Sequence, residues 1–344
     1  MSDSTSVQAK TGPFSQRARI RLGYQIPNFS YGQPVSELFP TVVAQAREAE
    51  AAGFDTVFVM DHFYQLPGLG QPSDPMLEAY TALSGIAAST ERIQLSALVT
   101  GNTYRNPALL AKTVTTMDLV SGGRAVLGIG AGWFELEHQS YGFEFGTFAE
   151  RFQRLDEALR IITPMLRGEH STFDGKWYHT ENAMNEPRLR NDLPILLGGG
   201  GEKKTFALAA RFADHLNIIC NASELPRKIE ALHQRCAEIG RDPETLDVSY
   251  LCFLMIDEDG DRARKQQRDL LRGVGVDLST LSEDQRKQTI ADRQFVGSPA
   301  DVAAQLQTRV LDQGVQGLIV NMVTNGHEPG AVDLAGRTLA PLVR

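Results

Sequence analysis

Along the chain, short apolar runs alternate with longer stretches in which apolar residues return every three or four positions. Residues 19–26 alternate and stop at Pro27, the pattern of a first strand; Val35, Leu38, Val42, Ala46 and Ala49 then recur at helical spacing up to Gly53, a helix stop. A second strand over 55–60 ends in Asp61-His62, and a Pro/Gly/Gln-rich connection runs on to Pro75. Connections this long in a compact fold are more often functional than idle. Residues 76–90 predict a helix and 93–100 a third strand, and Pro107 sits where a helix opens ahead of Leu109, Leu110, Val114 and Met117. Arg124 to Ile129 reads as a fourth strand buried on both faces, opening into Gly130, Gly132 and Trp133; Phe148, Phe152, Leu155, Leu159, Ile162 and Leu166 then make a strongly amphipathic helix.

Residues 168–192 break the alternation with an insertion whose Asp174-Gly175 marks a hairpin turn. The alternation resumes with a strand over 194–197, four glycines, a helix over 203–212, a strand over 214–219, a helix near 225–239 and a strand over 246–256. A charged, helical stretch comes next over 259–296. Ser298-Pro299 supplies an N-cap and first-turn proline for a helix through Val302, Leu306 and Val310, and a strand over 317–321 and a helix over 331–342 close the chain. Eight strands, with room for a helix in each crossover, predict an α/β fold: a closed (β/α)8 TIM barrel spanning 18–344 as a single domain, with an insertion after the fourth helix. The structural rival is a doubly wound open sheet. Its dinucleotide fingerprint belongs after the first strand, whereas Gly128-x-Gly130-x-Gly132 comes after the fourth and has Trp133 in the place of the third glycine.

Composition narrows the function classes. The 344 residues are 42% hydrophobic, enough for a large core, and the net charge of -8 comes without a long basic block, which argues against nucleic-acid or anionic-membrane partners. There is no apolar segment of membrane-span length and no hydrophobic signal core, so a cytoplasmic protein is expected. Cys220, Cys236 and Cys252 show no CxxC pair and fit reduced thiols. Residues 1–17, polar and without period, predict a disordered tail.

Ligands of a barrel sit at the C-terminal ends of its strands. His62, at the second strand end, is the imidazole best placed to exchange a proton; its alternative role is a simple cap. Asp61 could orient His62, bond a ligand or cap a turn. Gly130 and Gly132 give clearance for a flat ligand or answer to packing in a crowded barrel. Gly198 to Gly201, followed by Glu202-Lys203-Lys204-Thr205, puts backbone N–H groups at a helix start, a phosphate cradle without the ending of an NTP-hydrolysing loop. Trp133 and Phe134 could wall a pocket, while Glu135 and Glu137 read as a solvated helix start. His138, His170, His179, His233 and His327 show no metal-ligand spacing.

Several stretches, in this order and spacing, resemble the luciferase-like monooxygenase superfamily, and within it the coenzyme F420-dependent oxidoreductases. They are Asp55 to Phe63, Arg105 to Lys112, Gly123 to Trp133, the Phe148–Leu166 helix, Thr172 to Tyr178 and Pro194 to Gly200. The resemblance implies a (β/α)8 barrel binding F420, or alternatively FMN, at the C-terminal mouth. It places Asp61 and His62 by the ring, with His62 as proton donor or acceptor, and a non-proline cis peptide near Ala97-Leu98 behind it, with Thr100 beyond. Gly198, Gly199 and Gly200 match its phosphate-binding loop. Relatives that oxidise a sugar phosphate carry a glutamate where this chain has Trp133, which places Trp133 in a substrate pocket for some other small molecule. Dimers are common in the family, so a homodimer is expected. The rival readings are an FMN-dependent monooxygenase, a metal-dependent barrel hydrolase using Asp61 and His62, and a cofactor carrier without turnover.

Overall fold

Strand–helix alternation becomes, in the computed structural model, a parallel ring wrapped by helices. The structure describes residues 19–273, 275, 276, 278 and 292–343. In chain order the elements run β1 (Leu22–Ile26), α1 (Leu38–Ala52), β2 (Thr56–Val59), α2 (Ala79–Ala87), β3 (Gln94–Ala97), β4 (Thr100–Gly101), α3 (Pro107–Ser121), β5 (Leu127–Gly130), α4 (Glu135–Tyr141) and α5 (Phe148–Arg167). The hairpin β6 (Ser171–Asp174) and β7 (His179–Ala183) comes next, then β8 (Ile195–Gly198), α6 (Thr205–Phe212), β9 (His215–Ile218), α7 (Leu225–Ala237), β10 (Asp247–Ile256), α8 (Gly260–Gly273), β11 (Gln294–Gly297), α9 (Pro299–Arg309), β12 (Gly317–Asn321) and α10 (Ala331–Val343).

Hydrogen-bonded neighbours run β3-β2-β1-β12-β10-β9-β8-β5-β4, all parallel. The gap between β3 and β5 is spanned by the bridge Leu95↔Ala125 and by β4 against β5. The third predicted strand therefore splits in two, with a cis Leu98–Val99 peptide between the halves, one bond later than the resemblance implied. Strand alternation then sorts the core. Val57, Val59, Leu318 and Val320 face the helices, while Phe58, Leu98, Val126, Leu196, Leu251 and Ile319 fill the lumen. Towards the C-terminal mouth the lumen positions change to Gln25, Gly130, Gly198 and Asn321, which opens a cavity there.

Helix ends reflect local chemistry. Thr147 and Glu150 form a reciprocal capping box at the start of α5, and Ser298 and Asp301 do the same for α9. The hairpin turns at Gly175, whose N–H bonds the Tyr178 carbonyl. Within 259–296 the structure adds a strand that the charge pattern did not show. β11 lies on the last four residues of β10, past Tyr250 where β9 stops pairing, and so builds up one side of the mouth. The interior of that stretch, like the predicted tail over 1–17, lies outside the described residues. No helix among the described residues is long and apolar enough to cross a membrane.

Candidate active site

At the C-terminal mouth the strand ends surround a cavity of about 680 Å³. Asp61, His62, Leu98, Thr100, Gly130, Gly132, Trp133, Gly198 and Gly199, each singled out from the sequence, all line it. Ala97 and Gly200 do not. Ala97 belongs by strand alternation to the outer core, and Gly200 is pressed against the next strand end, where a Cβ would lie 2.4 Å from the Ile219 carbonyl oxygen.

The largest departure from the sequence reading is Glu137. Its place on α4 suggested a solvated carboxylate; it is fully buried. One oxygen accepts the backbone N–H groups of Phe63 (2.5 Å) and Tyr64 (3.0 Å). The other lies 2.9 Å from His62 Nδ1 and accepts the Tyr104 hydroxyl at 2.5 Å. Burial works against its ionisation, yet the bonds from His62, Tyr104 and the Tyr64 amide, with the His62 charge, hold its pKa below the usual carboxylate value. Burial, then the Glu137 hydrogen bond, pushes the Tyr104 hydroxyl well up, so it stays a donor. An ionised carboxylate only accepts, so the proton of the His62–Glu137 bond sits on Nδ1 and leaves Nε2 as the nitrogen not held by Glu137. The edge of His62 meets the rings of Trp133 and Phe134 at 5.7 and 5.8 Å. The sequence carried one signal for this: Phe134, Glu137, His138 and Tyr141 share a helical face, and apolar neighbours at that spacing mark a covered side.

Glu135, by contrast, is exposed and meets Gln139 along the helix.

Asp61 does not touch His62 through a hydrogen bond. Its oxygens accept Arg105 Nη1 (2.6 Å), Arg105 Nη2 (2.9 Å) and the Gly101 N–H (3.0 Å). Arg105 also reaches Glu78 at 2.6 Å and lies over the Tyr80 ring, whose hydroxyl meets Thr100 Oγ1 at 2.6 Å. A carboxylate whose oxygens are taken by a guanidinium fork is a poor metal ligand, and no group of three His, Cys, Asp or Glu among the described residues could hold a metal ion.

The glycines of the β5 and β8 ends answer mainly to packing. The Val99 side chain wedges between Gly130 and Gly198, where added Cβ atoms would come within 2.8 and 2.7 Å of it. Gly132 turns with φ +78 to let Thr103 pass. Beyond β8, the loop 199–204 leads into α6, whose first amides lack intrahelical partners, as at any helix start. Lys228 pins this loop through the Gly200 carbonyl (2.7 Å) and Glu202 (2.9 Å), and Arg227 also pairs with Glu202. On the lumen side, Asn321 Nδ2 donates to Gln25 Oε1 at 2.9 Å, while Asn321 Oδ1 is buried without a partner.

Comparison with known proteins fits this geometry. Residues 20–324 match the family of luciferase-like monooxygenases. The chain belongs to the luciferase-like monooxygenase family. A curated relative in Kineococcus radiotolerans, an F420-dependent glucose-6-phosphate dehydrogenase, is 30% identical over 304 residues, 83% of this chain and 86% of the relative. Among solved structures, the coenzyme F420-dependent tetrahydromethanopterin reductase of Methanopyrus kandleri superposes with a TM-score of 0.75 at 20% identity, covering 95% of this chain and 100% of its own. The oxygenating constituent of 3,6-diketocamphane monooxygenase from Pseudomonas putida, in complex with FMN, gives 0.71 at 16% identity, covering 95% and 99%. These two likenesses establish the luciferase-like barrel as the fold.

Proposed function

We propose that this chain is a coenzyme F420-dependent oxidoreductase that exchanges a hydride with a small organic substrate, with His62 giving or taking the accompanying proton. The observation that carries the reading is His62 at the cavity wall with Nδ1 committed to a buried carboxylate. The 30%-identical F420-dependent relative supports the choice of cofactor. When bound, a deazaflavin supplies a two-electron hydride acceptor or donor at C5.

The residues present fit such a group. The cavity is of ligand size, its lumen side offers the unpartnered Asn321 Oδ1 to a ligand N–H or O–H, and the pinned 199–204 loop with the α6 start suits a phosphate. His62 Nε2 would take the hydroxyl proton of a substrate being oxidised, as the hydride leaves its carbon, and return it in reduction. Asp61 and Arg105 act as positioning residues for the Gly101 turn. Trp133 puts an indole where sugar-phosphate-oxidising relatives have a proton-transferring glutamate, which favours a different, less polar substrate.

Titrating the purified protein with F420 and with FMN tests the cofactor; tighter FMN binding with oxygen-dependent turnover would overturn it in favour of a monooxygenase. We also infer a homodimer in a reducing cytoplasm. The outer face of α3 exposes Leu109 and Val120 beside Met184 and Leu189 of the segment bonded to that helix, and the three thiols are unpaired.

A further inference from the structure

Next to the mouth lies a second hollow, a groove of about 630 Å³ between α5, the β6–β7 hairpin and the start of α6. The two are contiguous: Phe152 lines both, and the segment after β8 gives Gly199 and Thr205 to the cavity and Lys203 and Lys204 to the groove. What distinguishes the groove is its charge. Lys176, Lys203 and Lys204 line it, and none of them has a carboxylate within ion-pair distance among the described residues. Lys176 Nζ stands 4.2 Å from the Trp177 ring, and Lys204 Nζ 5.2 and 5.3 Å from those of Phe148 and Phe152.

Nearby acids are otherwise engaged. Asp156 is held by Arg160 (2.7 Å) and Arg211 (2.9 Å). Glu157 accepts the backbone N–H groups of Lys176, Trp177 and Tyr178. Glu150 is taken up by the capping box, and Glu202 by Lys228 and Arg227. The lining thus sets Lys176, Lys203, Lys204 and Arg211 against Asp156 and Glu157, a cationic excess in a protein of net charge -8 that an anion would relieve.

We propose that this groove binds an extended polycarboxylate, the glutamate chain that coenzyme F420 carries beyond its phosphate, and so favours long-tailed forms of the cofactor. The inference rests on the F420 reading above. A phosphate at the 199–204 loop would direct the tail along the groove, where a carboxylate repeats with each glutamate unit. Trp177, Phe148 and Phe152 line the groove or its junction with the cavity and keep the ammonium groups over aromatic faces.

The test measures equilibrium binding, by cofactor fluorescence, of F420 bearing several glutamates and of F420 bearing none, with FMN as a tail-less control. The long-tailed form is expected to bind roughly tenfold more tightly at low salt, with the difference collapsing at high salt. Lys176→Glu with Lys203→Glu, both exposed, should abolish the ratio between the two forms; Lys176→Arg with Lys203→Arg should keep it. Equal affinity for the two forms, or a ratio untouched by charge reversal, overturns this inference and leaves the F420 reading standing. Failure of every deazaflavin form to bind, with FMN binding, overturns both.

Discussion

Glu137 is the residue on which the candidate chemistry turns, because it fixes both the proton and the orientation of His62. Under the proposed function, replacing His62 by Ala removes the proton carrier and leaves the 199–204 loop and the rest of the cavity wall in place. Turnover should fall about 10²-fold or more while cofactor affinity stays within a few fold; single-turnover kinetics beside a binding titration checks this, and undiminished turnover would remove His62 from the mechanism. Glu137→Gln keeps the shape but takes away the carboxylate that faces His62 Nδ1. Turnover should fall while cofactor affinity is retained, and Glu137→Asp should recover part of the loss; undiminished turnover in Glu137→Gln would leave Glu137 a packing residue. Deeper in the lumen, burial and then the Arg21 charge hold the His215 imidazole down at about 3, while Nε2 meets Ser249 at 2.7 Å. The folded state keeps this histidine neutral and the unfolded chain protonates near 6.5. Its contribution to stability is therefore complete above 6.5 and lost as the pH falls towards 3. Between 6.5 and 4.5 the loss from this group amounts to about 2 kcal/mol, visible as a falling urea midpoint that His215→Gln flattens.

Among elements, the segment leading into β5 shows how one side chain can join several. Arg124 is buried with no ion pair among the described residues and directs its five N–H groups to the carbonyls of Ala87, Thr90, Ile93 and Ser121 and to Thr90 Oγ1. It thereby ties the ends of α2 and α3 to the start of β3, beside the bridge that spans the barrel. Arg124→Met would strand buried carbonyl groups and should cost about 3 kcal/mol or more, read from chemical denaturation. Only the strand character of this stretch was legible in the sequence. Its glycines read either as clearance for a flat ligand or as packing; Gly130, together with Gly198 of β8, makes room for Val99, a residue of the kink between β3 and β4, and also lines the cavity. Spacing along one strand cannot reveal that, because the neighbour that needs the room comes from another. β11 escaped for a related reason: it is only four residues long, sits among charges, and is a strand because β10 extends far enough to pair with it.

For the whole molecule, pairing through the outer face of α3 is the open expectation. Leu109→Asp with Val120→Asp should shift sedimentation from dimer to monomer with the fold intact by circular dichroism; an unchanged dimer would place the interface elsewhere. The sequence by itself determined the barrel, since eight apolar runs separated by helical periods leave few other ways to cover strands buried on both faces. It also located His62 and the 198–201 loop, because strand ends in such a ring must meet at one mouth. Tertiary structure alone decided what holds His62 there. The partner lies 75 residues away on a short helix, and its carboxylate passes for a solvated one until Tyr104 and the Phe63 and Tyr64 amides close around it. Burial and hydrogen bonding are properties of the assembled neighbours, and periodicity along one segment carries only the faces they will share.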